Sequence, residues 1–120
     1  MSSIPAVRAG TTLPLACVPG AIPAGDRRAH FALAARLFRE AARDRRELPG
    51  GLPDAAEGYA FRFDADAFDD AARFVANERR CCPFLTFALD LAPAGGPLWL
   101  RLTGPVGTRA FLEAELPLRP

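Results

Sequence analysis

Pro83 is the residue that most limits the folds open to this chain, because it stands where a helical pattern ends and an alternating one begins. A proline pushes the residue before it out of the α region, so no helix can run on through Cys82. Upstream, Asp64 is placed to cap a helix from about Asp66 to Arg80. Asp66, Asp69 and Asp70 lie in its first turn, where the dipole favours negative charge. Phe68, Ala71, Ala72 and Val75 form its apolar stripe, which Cys82 continues. Downstream, Phe84 to Leu91 alternates, with Leu85, Phe87, Leu89 and Leu91 on one face. Ala92 to Pro97 then reads as a hairpin-like turn into a second alternating run, Leu98 to Thr103. Thr103 to Thr108 opens a last short helix carrying Phe111 and Leu112.

The chain before this junction supplies the remaining layers. Residues 1–12 carry no periodicity and read as a loose arm, leaving 13–120 as a single α+β domain. Leu13, Leu15 and Cys17 alternate along a predicted edge strand, with Pro14 barred from a central position because it has no N–H to donate. Asp26 is placed to cap a helix from about Arg27 to Glu47, its apolar side formed by Phe31, Ala34, Leu37, Phe38, Ala41 and Ala42. After the turn-rich Leu48 to Asp54, Tyr59, Phe61 and Phe63 mark a half-buried strand. The predicted order is β-α-β-α-β-β-α, a layered α+β domain with about four strands in a mixed or antiparallel sheet and helices mainly on one face. Arg62, Thr86, Trp99 and Arg101 fall on the other face, which is solvated or serves as the interface of a homodimer.

Charge and cysteine content exclude several function classes. The formal net charge is +1, which offers no bulk attraction to nucleic acid or an anionic membrane. All fifteen basic residues are Arg, read as GC-rich coding bias. No run of eighteen apolar residues exists, and no signal peptide is evident near Arg8, so a cytoplasmic location is expected. Three cysteines are an odd number for a disulfide framework, which leaves ligand, redox or core roles.

The adjacent pair Cys81-Cys82 is the strongest chemical signal. Adjacent cysteines bond to one another only through a strained ring, so they act more simply as two thiols. With Cys17 as a third sulfur they would form a three-thiolate site for a soft metal or metalloid such as Hg, Cu(I), Zn or As(III). If the strand ending near Cys17 lies antiparallel to the one beginning after Cys82, all three fall at one edge of the sheet. Sulfurs about 3.5–4 Å apart would then suit metal–sulfur bonds near 2.3 Å. Glu78 is a candidate proton acceptor or auxiliary ligand, and Arg79 and Arg80 are candidates for offsetting thiolate charge. A helix C-terminus raises a thiol pKa, which argues against an activated nucleophile, whereas a bound cation deprotonates its ligands outright. Against these readings stands the plain one, in which Cys17 and Cys82 are core residues. Zinc would need a fourth ligand from Glu78, His30, water or a partner chain.

Other candidates have simpler explanations. His30 reads as a capping or surface residue, Tyr59 as core, and the acidic first turn of the second helix as dipole complement. The segment Thr103 to Thr108 has backbone N–H groups that could cradle phosphate, but it lacks the Gly-Lys-Ser/Thr ending and Pro105 suits an ordinary first helical position.

Glu78-Arg79-Arg80-Cys81-Cys82-Pro83-Phe84-Leu85, followed by Leu100-Arg101-Leu102-Thr103-Gly104-Pro105, resembles a family of small, mostly uncharacterised bacterial proteins with a Glu-Arg-x-Cys-Cys-Pro-Phe signature. It also resembles the C-terminal domain of some MerR-type regulators. The resemblance spans roughly Ala16 to Leu116 and implies a stand-alone, effector-like domain of the kind that senses soft metals or oxidants. Three functions follow in order: thiolate binding of a soft metal or metalloid for sequestration or sensing, with no catalytic residue; a thiol enzyme for redox or carbon–metal bond cleavage; and an oligomerisation domain with inert core cysteines.

Overall fold

A computed structural model describes residues 15–51 and 56–118. Helix α1 (Ala24–Ala35) continues into a π-helical turn, Arg36–Ala41, and is followed by β1 (Asp44–Leu48), β2 (Glu57–Phe63), a 3-10 turn at Ala65–Ala67, α2 (Phe68–Cys81), β3 (Thr86–Leu91), β4 (Leu98–Gly104) and α3 (Thr108–Glu115). The strands form one antiparallel sheet in the order β1-β2-β4-β3. The expected α+β class and four-stranded sheet are present. The element order differs, because the sheet's fourth strand comes from a different part of the chain.

That strand is β1, within the stretch predicted to complete a long first helix. Arg43 to Glu47 is charged throughout, a composition that suits an exposed helix surface or an edge strand equally well. Tertiary contacts select the strand. The helix widens at its end, where Ala42 N–H donates to Leu37 O (2.8 Å), and Arg43 N–H then joins the ladder through Arg62 O (2.7 Å). Arg43 also forks onto Asp64 through Nη2 (2.9 Å) and Nε (3.1 Å). Asp64 is therefore engaged with Arg43 and makes no side-chain cap, and Asp26, inside α1, caps nothing either.

The strand predicted around Cys17 is not formed. Leu13 and Pro14 lie outside the described residues, as does the arm at 1–12, and Leu15 to Val18 is irregular. The Val18 N–H goes to Cys81 O at the end of α2 (2.7 Å), and Pro19 has none to offer a ladder.

The core lies between the helices and one face of the sheet. Register places Tyr59 opposite Leu102, Phe61 opposite Leu100 and Phe63 opposite Leu98, and all six side chains are buried. Phe38 packs edge-on against Phe61 (4.8 Å between centroids) and Phe74 (5.0 Å), tying α1 and α2 to this face. Full burial of each such side chain is worth about 1.5–3 kcal/mol. Gly58 is the one place where β2 and β4 approach too closely for a side chain, since a Cβ there would collide with the Leu102 carbonyl. The opposite face carries Arg62, Thr86, Trp99 and Arg101 as expected. The Arg46 guanidinium sits 4.7 Å from the Trp99 ring centroid, and Arg101 pairs with Asp90 (3.3 Å).

Two helical stripes are rotated from their predicted positions. Phe31 and Phe68 are 63% and 40% exposed, while His30, Leu33 and Phe74 are buried. On α2 the inward line is Ala71, Phe74 and Glu78, leading to the buried Cys82. No helix among the described residues is long and apolar enough to cross a membrane.

Candidate metal centre

The site forms where α2 is forced to stop. Cys81 is the last residue of α2, and Cys82 leaves helical geometry (φ −120°, ψ 78°) while its N–H still reaches Glu78 O (2.7 Å). That break, imposed by Pro83, turns the Cys82 side chain beneath the helix, where it is fully buried. The helix end also has carbonyls to offer, and the loop after Cys17 takes one of them through Val18 N–H. Arg80 Nη2 donates to Ala21 O (3.1 Å), fastening the same loop from its other end. Cys17 is thereby brought to 3.5 Å from Cys82, sulfur to sulfur.

The ligand atoms of Cys17, Cys81 and Cys82 all lie within 4.8 Å of one another. Among the described residues this is the group of three or more potential ligands close enough to hold one ion. The expected convergence is present, but a docked loop produces it where strand pairing was anticipated.

The surroundings favour the protonated form of the Cys17 and Cys82 thiols. Burial pushes the Cys17 thiol up to about 11, with Cys81 and Glu115 adding to the shift and the contact with Cys82 opposing it. Burial, then the Glu78 carboxylate, then Cys17 push the Cys82 thiol well above its ordinary value. Burial rather than the helix dipole is thus the main cause at both sulfurs, and neither is an activated nucleophile.

Glu78 stands behind the sulfurs with both oxygens engaged. Its Oε2 accepts from Cys82 Sγ (3.3 Å) and its Oε1 meets His30 Nε2 (2.8 Å). Arg79 is exposed, and Arg80 has the structural role of holding the loop. At the open side, Glu115 Oε1 lies 3.8 Å from Cys17 Sγ.

His30 is the member that sequence reading misplaced. It is 4% exposed, stacked on Phe74 at 5.4 Å and 11°, and bonded to Glu78, so it is neither a cap nor a surface group. The signal was present: His30, Ala34 and Leu37 share helical spacing as well as Phe31, Ala34 and Phe38 do. Likewise Ala71, Phe74 and Glu78 fit one stripe ending at Cys82.

The competing candidates resolve as structure. Tyr59 is buried and its hydroxyl donates to Glu113. The N-terminus of α3 already holds an anion, because Glu57 Oε2 accepts from Gly107 N–H (3.1 Å) and Arg109 N–H (2.8 Å). Thr108 Oγ1 donates to Pro105 O (2.6 Å), closing the loop on itself.

A cavity of about 580 Å³ opens beside the thiols. Cys17 and Cys81 line it, together with Glu78, His30 and residues from the end of α3, whereas Cys82 lies behind its wall. No family model, curated protein or solved structure matches the chain.

Proposed function

We propose that this protein captures a soft metal or metalloid ion as a thiolate complex of Cys17, Cys81 and Cys82, for sequestration or sensing. The observation that carries the reading is the mutual approach of three sulfurs within 4.8 Å, drawn from a loop and a helix end far apart in sequence. Bonds of about 2.3 Å to one central ion place three thiolates about 4 Å apart, so little rearrangement is required. Soft ions favour such a donor set. Hg(II), Cu(I) and As(III) are satisfied by three sulfurs, whereas Zn(II) needs a fourth ligand; Glu78 Oε2 lies 3.3 Å from Cys82 Sγ and Glu115 Oε1 3.8 Å from Cys17 Sγ.

In this reading Glu78 receives the Cys82 proton as the ion binds, and His30 holds the carboxylate in place. The ion offsets the charge left on the sulfurs, fully for As(III) and in part for Hg(II) and Cu(I). Free thiols persist in a reducing cytoplasm, the compartment proposed here. The likeness of the Cys-Cys-Pro-Phe segment to the effector domain of MerR-type regulators supports sensing over catalysis, as does the protonated state of the two shifted thiols.

The test is titration of the reduced protein with Hg(II), Cu(I), Zn(II) and As(III), following thiolate charge-transfer absorbance. One ion per chain is expected, with uptake lost in Cys81→Ser/Cys82→Ser and weakened in Cys17→Ser. Absence of uptake by the parent protein, or undiminished uptake by the double variant, refutes the reading.

A further inference from the structure

The cavity beside the thiols is far larger than an ion requires. A water molecule occupies about 30 Å³ of liquid and a cavity of about 150 Å³ takes benzene, whereas this one measures about 580 Å³. Its size falls within the range of pockets that bury small organic ligands, roughly 300–1,000 Å³. The lining has the same character. Ile22, Ala34, Phe74 and Leu116 give it a buried apolar floor.

Two features of the lining bear on an organic substituent. The His30 imidazole lies nearly parallel to Phe74, at 11°, and its Nδ1 is a buried nitrogen with no partner among the described residues. Phe31 stands at the rim, 63% exposed, a large apolar side chain whose surface a bound ring would cover. The sulfurs are not equivalent towards this space. Cys17 and Cys81 face it, while Cys82 is buried behind.

We propose that the site also takes a trivalent arsenical bearing one aryl group, its arsenic held by Cys17 and Cys81, the two sulfurs that face the cavity, and its ring seated in the cavity against Phe31. This rests on the thiol-capture reading and names the ligand class. An aryl-arsenic(III) centre carries two exchangeable hydroxyls, so it takes two thiols where inorganic arsenic(III) takes three. Two arsenic–sulfur bonds form and two arsenic–oxygen bonds break. Each thiol proton leaves with a hydroxyl as water, and arsenic stays trivalent, so no oxidant or reductant is involved. The two sulfurs used are the two that face the cavity, and Cys82 is spared.

The experiment compares phenylarsonous acid with methylarsonous acid on the reduced full chain, by native mass spectrometry and competition titration. Both probes form two arsenic–sulfur bonds, and the group on arsenic that enters the cavity differs. The phenyl compound is expected to bind at one per chain and at least tenfold more tightly than the methyl compound. Phe31→Ala, at an exposed position that folding tolerates, narrows the gap several-fold. Cys82→Ser keeps the phenyl adduct and loses inorganic arsenite. Equal affinity for the two probes, or an unchanged gap in Phe31→Ala, overturns the assignment of the aryl group and leaves thiol capture standing if arsenite still binds. Failure of arsenite and both organic probes to bind overturns both.

Discussion

Glu78 connects the fold to the site, and its removal gives the sharpest measurable consequence. The residue is 7% exposed, with one oxygen 2.8 Å from His30 Nε2 and the other 3.3 Å from Cys82 Sγ. Glu78→Ala deletes both contacts and leaves a histidine that is 4% exposed without its partner. A lost buried hydrogen bond costs about 1 kcal/mol and an orphaned buried polar group about 1–3 kcal/mol. The relief from burying one polar side chain fewer offsets part of this. The net loss is therefore about 2–4 kcal/mol, equivalent to roughly 10 °C in Tm for a chain of this size.

Urea unfolding of the reduced, ion-free protein measures it directly, as a lower midpoint at unchanged slope. His30→Phe keeps the stack on Phe74 and deletes the nitrogens. Combined with Glu78→Ala, it should give a double variant less destabilised than the sum of the two, by at least about 1 kcal/mol. Glu78→Gln keeps an acceptor towards His30 and should recover about half of the loss. A Glu78→Ala protein within about 0.5 kcal/mol of the parent, or strict additivity with His30→Phe, would show that the pair is not the buried interaction described.

Two further outcomes follow from other parts of the structure. The Cys17 thiol is raised from its ordinary 9.0 to about 11, and that of Cys82 is raised as well, so above pH 9 the unfolded chain binds fewer protons than the native one. Stability is then full below about pH 9 and falls as the pH rises through about 11; urea midpoints should trace this decline, less steeply in Cys82→Ser, and a flat profile contradicts it. Glu57→Ala removes the acceptor for Gly107 and Arg109 N–H, which should cost about 1–2 kcal/mol and fray α3, with backbone amide exchange at 107–109 as the readout.

The alternating elements were legible because one residue in two meets the core. Tyr59, Phe61 and Phe63, and again Leu98, Leu100 and Leu102, face inward as their spacing required, and the outward set of Arg62, Thr86, Trp99 and Arg101 followed. β1 was illegible because none of Asp44, Arg45, Arg46 and Glu47 is apolar, and only pairing with β2 distinguishes an edge strand from a charged helix surface. Meeting of the three sulfurs was anticipated, but the means was not. Val18 N–H and Arg80 are committed to partners more than fifty residues away, and no local pattern encodes that choice. The burial and pairing of His30 and Glu78 were illegible for a related reason: each is polar on an inward stripe, and each becomes acceptable there only because the other is present.

Thiols set under burial at a helix C-terminus have a chemical consequence for the proposed capture. Coordination requires the sulfurs to lose their protons, and Cys17 and Cys82 hold theirs more tightly than free thiols do. That cost is the same for every ion that takes all three sulfurs, so among those it lowers each affinity by one factor and leaves their ratios unchanged. Ions with weak metal–sulfur bonds then fall below useful occupancy, while the most thiophilic remain above it. Protonated thiols are also poor nucleophiles and slow to oxidise, so Cys17 and Cys82 are protected until such an ion reaches them. The proton from Cys82 has its nearest acceptor in Glu78, 3.3 Å away and held by His30. The same buried pair that secures α2 to α1 therefore stands where deprotonation has to occur, and a change that loosens it should weaken the fold and the capture together.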